Sequence, residues 1–312
     1  MRLVWNGQWH QRLAGARGSV ANAIRKWPSL ARRIAIAEVQ GFYAADAGDL
    51  SAQALSCGAN FAAQWWPRGG YRSLVEKLRQ GLDGRIHRTD PVARIERAAR
   101  GGALRVITCN KRRFEAARVI VAVSLGVLKS SDIRFVPRLS RAKRAAIRGI
   151  GMGDVVKVVV RCRPFWGKYR FISSDQDIPV WWPLPKQRAD RGIIVGWAAG
   201  PAARKLRRLG TEEIKRRAVS SLRRLFPKSP VVSFEDVYVV DWSRDKFARG
   251  AYTYDRLARG GSLRRQLAEP EDNLLFFAGE ATEPIYYGTV HGAIRSGQGA
   301  ADLVLDSLRA RQ

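Results

Sequence analysis

The sequence predicts a mixed α/β (α+β) fold, and three stretches carry that reading. Leu274, Leu275, Phe276 and Phe277 form a short apolar run broken by Ala278, Gly279 and Glu280, as in a buried strand that ends in a ligand-facing loop. Residues 155–160, VVKVVV, are β-branched except for Lys157 at the centre, and predict a second strand. Residues 211–226 place Ile214, Ala218, Leu222 and Leu225 at three- and four-residue steps, the pattern of an amphipathic helix with Thr211 as its N-cap.

Taken in order, Ile24, Leu30, Ile34, Ile36, Val39 and Phe42 recur at helical steps and predict helix over 19–55, closing near Asp46-Ala47-Gly48-Asp49. A turn at Trp65-Trp66-Pro67-Arg68-Gly69-Gly70 leads into a helix over 71–82 with Leu74, Val75 and Leu78 on one face. Residues 86–128 read as strands: Ile86, Val92 and Ile95, a hairpin turn at Gly101-Gly102, then Leu104, Val106 and Ile107, and finally 119–123. Further strands over 180–183 and 193–198 offer apolar surface from Trp181, Trp182 and Trp197. The last helix starts at Thr289, a second expected N-cap. Its small residues, among them Gly292, Ser296 and Ala300, permit close approach to another backbone. Its free N–H groups suit an electron-rich ligand edge.

A chain of 312 residues with 46% hydrophobic content and ten Trp can bury a sizeable core. No apolar run reaches membrane-spanning length and no apolar leader opens the sequence. Cys57, Cys109 and Cys162 are scattered without metal-ligand spacing, so the expected setting is the cytoplasm and no metal is expected. The net charge of +29 suggests nucleic acid or an anionic membrane as partners. Against both, Lys and Arg are spread along the whole chain, Arg outnumbers Lys more than threefold, and no recognition motif accompanies the charge. The dense runs at 204–208 and 215–217, with Arg223-Arg224, read as solvated helix faces.

The string LLFFAGEATEPIYYGTVHGAIRSGQGAAD at 274–302 resembles the flavin-binding C-terminus of the flavin monoamine oxidase family, which includes polyamine oxidases and histone lysine demethylases. A second string, 133–166, resembles that family's F-x-P-x-L…K-x-x-A-I…G-x-x-x-K-V…F-W pattern. Residues 241–254, DWSRDKFARGAYTY, are similar to its W-x-x-x-x-x-x-G-x-Y-x-Y element, and 69–74 to its G-G-x-x-x-L. Residues 117–128 match its strand and glycine turn, with Ser124 where the family usually has Pro. The likeness runs from about Glu38 to the end.

The resemblance implies an FAD-linked amine oxidase-like two-domain fold. An incomplete Rossmann-type FAD domain, 67–130 and 271–312, interleaves with a sheet-plus-helices substrate domain, 1–66 and 131–270. It implies non-covalent FAD, since no Cys lies near the Thr289 loop. Carried over residue by residue, Glu280 bonds the ribityl region, Thr289 and Val290 face the flavin's pyrimidine edge, and the Val92 backbone meets the adenine. Lys157 holds a water near flavin N5, and Trp242, Tyr252 and Tyr254 contribute to an aromatic wall. Thr289 stands where polyamine oxidases often place an aromatic beside the flavin, and Tyr286 and Tyr287, close by in sequence, are the candidates to replace it. The implied reaction moves a hydride from the carbon beside a neutral amine to FAD. The imine then hydrolyses and dioxygen reoxidises the flavin, giving peroxide.

One departure matters. No G-x-G-x-x-G follows a strand in these 312 residues, whereas the family's βαβ unit holds the FAD pyrophosphate with it. The expectation is a truncated or split member whose partners are a small amine and a separate N-terminal FAD-domain chain. The alternatives are an FAD-free remnant or subunit, and a basic nucleic-acid-associated protein on a dead oxidase fold. The sequence shows no carboxylate clamp that would name the amine.

Overall fold

The computed structural model describes residues 13, 15–56, 69–98, 103–184, 191–227, 236–257 and 260–310. Cys57, the 65–68 part of the expected turn and the Gly101-Gly102 hairpin turn lie outside the described residues.

The expected helical region over 19–55 is three helices, α1 (Val20–Ala23), α2 (Ser29–Tyr43) and α3 (Ala52–Ser56). Pro28 is the N-cap of α2 with φ −52°, and Ala44 ends it in the left-handed region at φ 53°. Val20, Ile24, Ala35, Val39, Leu50 and Leu55 form their common core, joined by Tyr254. Leu30 and Phe42, expected inward, are exposed. Leu30 lies five residues before Ala35, about 140° round the helix from the buried stripe. Phe42 packs edge-on against Tyr43 instead.

Helix α4 (Tyr71–Arg79) stops short of the expected Leu82 because Gln80 is extended and Gly81 turns at φ 77°. It buries none of its residues, and Val75 and Leu78 face solvent. Next come β1 (Val92–Arg97), β2 (Leu104–Thr108) and β3 (Arg113–Ala116), an antiparallel meander. Ile86 lies before β1 and is exposed. β4 (Val119–Val121) is shorter than expected, because Ser124 caps a helix, α5 (Leu125–Ser130), by accepting from the Val127 N–H at 3.2 Å. β5 (Arg134–Val136) then joins β1 in parallel, giving the order β3-β2-β1-β5. Helix α6 (Arg141–Gly149) and β6 (Gly151–Met152) follow.

The central sheet is built from β7 (Val155–Cys162), β8 (Ile172–Ser173), β9 (Val180–Pro183), β10 (Gly192–Ala199) and, after α7 (Pro201–Arg207) and α8 (Thr211–Leu225), β11 (Val237–Asp241). Its order is β11-β7-β10-β9-β8, and every neighbour is antiparallel. Val156, Val158 and Val160 point to one face and meet Leu206, Ile214 and Leu222 of α7 and α8. Period-two alternation therefore sends Lys157 to the opposite face. Thr211 is not the cap of α8: that position is Gly210, without a side-chain bond, and Thr211 is the first helical residue. Glu212 and Glu213 in the first turn complement the helix dipole instead.

The chain closes through β12 (Thr253–Tyr254), α9 (Gly260–Ala268), β13 (Leu275–Phe277), a 3₁₀ turn (Glu280–Thr282) and α10 (Val290–Arg309). β12 pairs with β6, and β13 runs parallel to β4. Residues 241–254 are a strand end, a looped passage and a two-residue strand. A second core joins residues from both sides of the 130/131 and 270/271 boundaries: Ile95, Val121, Ile133, Ile147, Leu267 and Phe277 pack together. Among the described residues, no helix is long and apolar enough to cross a membrane and no cluster could hold a metal ion.

Candidate active site

Two clusters adjoin at the end of the central sheet. The first surrounds Lys157. Trp197 of β10 sits opposite it in register, and the Lys157 Nζ lies 5.0 Å from the Trp197 ring centroid. Burial holds this ammonium below the usual lysine range. Lys157, Trp197, Trp242 and Tyr252 line a cavity of about 340 Å³ together with Val155 and residues 248, 250 and 251. Both inner aromatics turn their polar ends away from it. The Trp197 Nε1–H donates to the Gly41 carbonyl (2.8 Å), and the Tyr252 hydroxyl donates to the Phe42 carbonyl (2.8 Å). The end of α2 thus fixes both rings.

The second cluster surrounds Glu280, at the C-terminal end of β13. Its carboxylate accepts from the Thr253 N–H (3.2 Å), the Thr253 hydroxyl (2.7 Å) and the Gly288 N–H (2.6 Å). Behind Thr253 lies Arg264, fully buried. It donates from Nε to Asp255 Oδ1 (2.7 Å) and from Nη1 to Thr253 Oγ1 (2.8 Å) and the Ala281 carbonyl (3.2 Å). Its guanidinium also lies 3.8 Å from the Tyr287 ring centroid. Thr289 caps α10 as expected, accepting from the Gly292 N–H (3.0 Å) and donating to the Tyr286 carbonyl (2.6 Å). Gly279 ties β13 to α10 by donating to Ser296 Oγ (2.9 Å).

The structure thus gathers Lys157, Trp242 and Tyr252 around one cavity, and Glu280, Thr289, Val290 and Tyr287 around the start of α10. The two groups meet at the consecutive residues Tyr252 and Thr253. Val92 stands apart at the head of β1, half-buried and linked to this region through the second core, which also holds Ala281. Tyr254 belongs to the helical core beside Val39 and does not line the cavity. Trp197, Thr253, Gly288 and Arg264 are site residues that sequence reasoning missed. Trp197 was legible only as apolar surface, since its place opposite Lys157 depends on the pairing register. A wider cleft of about 520 Å³, between residues 175–177 and α8, is lined by charges that pair with one another: Asp177 with Arg217, and Glu213 with Arg216 and Arg217.

Residues 21–305 match the family model described as flavin containing amine oxidoreductase. The chain belongs to that family. It is 32% identical over 279 residues to polyamine oxidase 2 of Arabidopsis thaliana, covering 86% of this chain and 54% of that protein. It is 30% identical over 244 residues to human lysine-specific histone demethylase 2, covering 73% of this chain and 29% of that one. Among solved structures, a putrescine oxidase variant superposes with a TM-score of 0.79 at 23% identity, over 98% of this chain and 74% of that one. Cyclohexylamine oxidase from Brevibacterium oxydans IH-35A gives 0.78 at 20% identity, over 97% and 73%. The fold is therefore that of the amine oxidases. The chain spans about half the length of the polyamine oxidases it matches.

Proposed function

We propose that this chain binds FAD non-covalently and serves as an amine oxidase-type oxidoreductase acting on a small amine. The observation that carries the proposal is the pairing of an apolar, lysine-bearing cavity with a carboxylate and a capped helix start immediately beside it. The residues fit the cofactor. A carboxylate offers about four acceptor positions and Glu280 has three partners, so one remains for a ribityl hydroxyl. The first N–H groups of α10 have no intrahelical partner, and Val290 there is 44% exposed. They suit a ring edge that gains negative charge. FAD, when bound, supplies the acceptor for the hydride leaving the carbon beside the amine nitrogen, with dioxygen as the final oxidant.

The chain's own residues do the rest. Trp197, Trp242 and Tyr252 exclude water and orient the amine by its apolar body. Lys157, weakened as a base by burial, takes or returns a proton at Nζ while the amine is held neutral. Arg264 positions Glu280 through Thr253. FAD titration, followed by quenching of flavin fluorescence, tests the cofactor reading. We expect saturable binding that Glu280→Gln weakens at least tenfold, about 1.4 kcal/mol. Equal affinity in both proteins, or no saturable binding, would contradict it.

One further observation favours docking of a Rossmann-type FAD unit against this part of the fold. β13 and β4 form a two-stranded parallel sheet among the described residues, whereas parallel sheets are normally covered on both faces. Ile120 on β4 is exposed, as are Leu303, Leu305 and Leu308 on α10. Arg118 joins these two elements by donating to Ser307 Oγ at 2.8 Å.

A further inference from the structure

We infer that the amine taken by this cavity is a monoamine with an apolar body, and that polyamines are excluded. The inference rests on the amine-oxidase reading of the cavity and names its substrate class. Three observations carry it. First, the walls carry the rings of Trp197, Trp242 and Tyr252 beside Val155, Ala248 and Ala251, with no carboxylate among the lining residues, and the Trp197 N–H and the Tyr252 hydroxyl are both spent on carbonyls at the end of α2. An aliphatic or aromatic body gains from such a surface by removal from water.

Second, the charged side chain among the residues lining the cavity is itself a cation, Lys157. Aromatic faces attract cations, but here the Lys157 ammonium already lies over Trp197 at 5.0 Å. A distal ammonium would meet a like charge at close range.

Third, the carboxylates that flank the lining residues are turned to arginines. Asp154, next to Val155, holds Arg207 at 2.7 Å and Arg204 at 3.6 Å. Asp241, next to Trp242, accepts from the Ser243 N–H (3.0 Å) and hydroxyl (2.5 Å) and pairs with Arg244 at 3.4 Å. Neither is among the residues lining the cavity. The net charge of +29 adds a long-range bias against polycations.

Isothermal titration of the full chain with benzylamine and with spermidine, at one pH and matched ionic strength, tests this directly. We expect benzylamine to bind at least tenfold more tightly than spermidine. Trp242→Ala should weaken benzylamine at least tenfold while thermal unfolding stays unchanged, and Asp241→Asn should leave the preference as it is. Spermidine binding as tightly as benzylamine, no binding of benzylamine, or a Trp242→Ala protein that binds like wild type would each overturn the inference. Loss of the preference in Asp241→Asn would also overturn it. The assay reads binding without flavin chemistry. Benzylamine that binds but never reduces added flavin leaves the inference standing and sinks the oxidase reading.

Discussion

Lys143 is buried and Lys157 half-buried, and their surroundings separate a structural role from a chemical one. Lys143 donates from Nζ to the Gln266 (3.1 Å), Leu267 (2.8 Å) and Glu269 carbonyls, which closes the C-terminal end of α9. Burial lowers its pKa from the ordinary 10.5 to about 8, with Glu271 and Glu269 pulling the other way. Removing it strands three acceptors, so Lys143→Met should cost about 2 kcal/mol in denaturant unfolding. The folded chain holds this proton less tightly than the unfolded chain. The unfolded state therefore binds more protons between about pH 8 and 10.5, and this group's contribution to stability rises with pH across that window. Wild type and Lys143→Met should differ by that slope, and parallel profiles would refute it. Lys157 instead meets a tryptophan face and a cavity. Lys157→Met should therefore slow flavin reduction or reoxidation while leaving the unfolding midpoint within about 0.5 kcal/mol of wild type. Unchanged turnover would remove it from the chemistry, and a large loss of stability would make it structural.

At the scale of elements, the start of α10 shows how close packing positions the site. A Cβ at Gly292 would come within 2.0 Å of the Tyr286 carbonyl oxygen, so the glycine lets the helix start lie against the 286–288 loop. Gly292→Ala should move that loop, and with it the Gly288 N–H that Glu280 accepts from. We expect a loss of about 1–3 kcal/mol in stability and a matching fall in FAD affinity. Unchanged FAD affinity would show that the loop does not hold Glu280. The strand at 275–277, its terminal glutamate and the Thr289 cap were legible in sequence, because each is a local signal: an apolar run, a glycine break, a hydroxyl before a helix. The β-branched run around Lys157 was legible for the same reason. Trp197, Thr253 and Arg264 were not, since their roles arise from pairing register and from contacts between residues distant along the chain. The cap of α8 was misplaced by one residue because Thr211 is a better capping type than the glycine that holds the position.

Among the described residues, four apolar clusters form the interior: the helical core under Tyr254, the sheet core against α7 and α8, the core that joins β1, β4, β13 and α6, and a small one of Ala44, Val155 and Ala199 against which the cavity residues Trp197, Ala251 and Tyr252 pack. The two-part division expected from sequence, a cofactor portion over 67–130 and 271–312 and a substrate portion over 1–66 and 131–270, stays a proposal. A G-x-G-x-x-G turn is absent from the 312 residues, and its N–H groups would be worth roughly a hundredfold or more in affinity for the phosphates. The account thus expects modest FAD affinity that rises when a matching Rossmann-type fragment is added. Its central claim, that this chain carries amine-oxidising machinery, is tested most directly by anaerobic reduction of the FAD-supplemented protein, with that fragment present, by a simple amine such as benzylamine. The account predicts amine-dependent bleaching of the oxidised flavin absorbance that is reversed on admitting air and slowed in Lys157→Met. Saturated FAD binding with no bleaching at any amine concentration would contradict it.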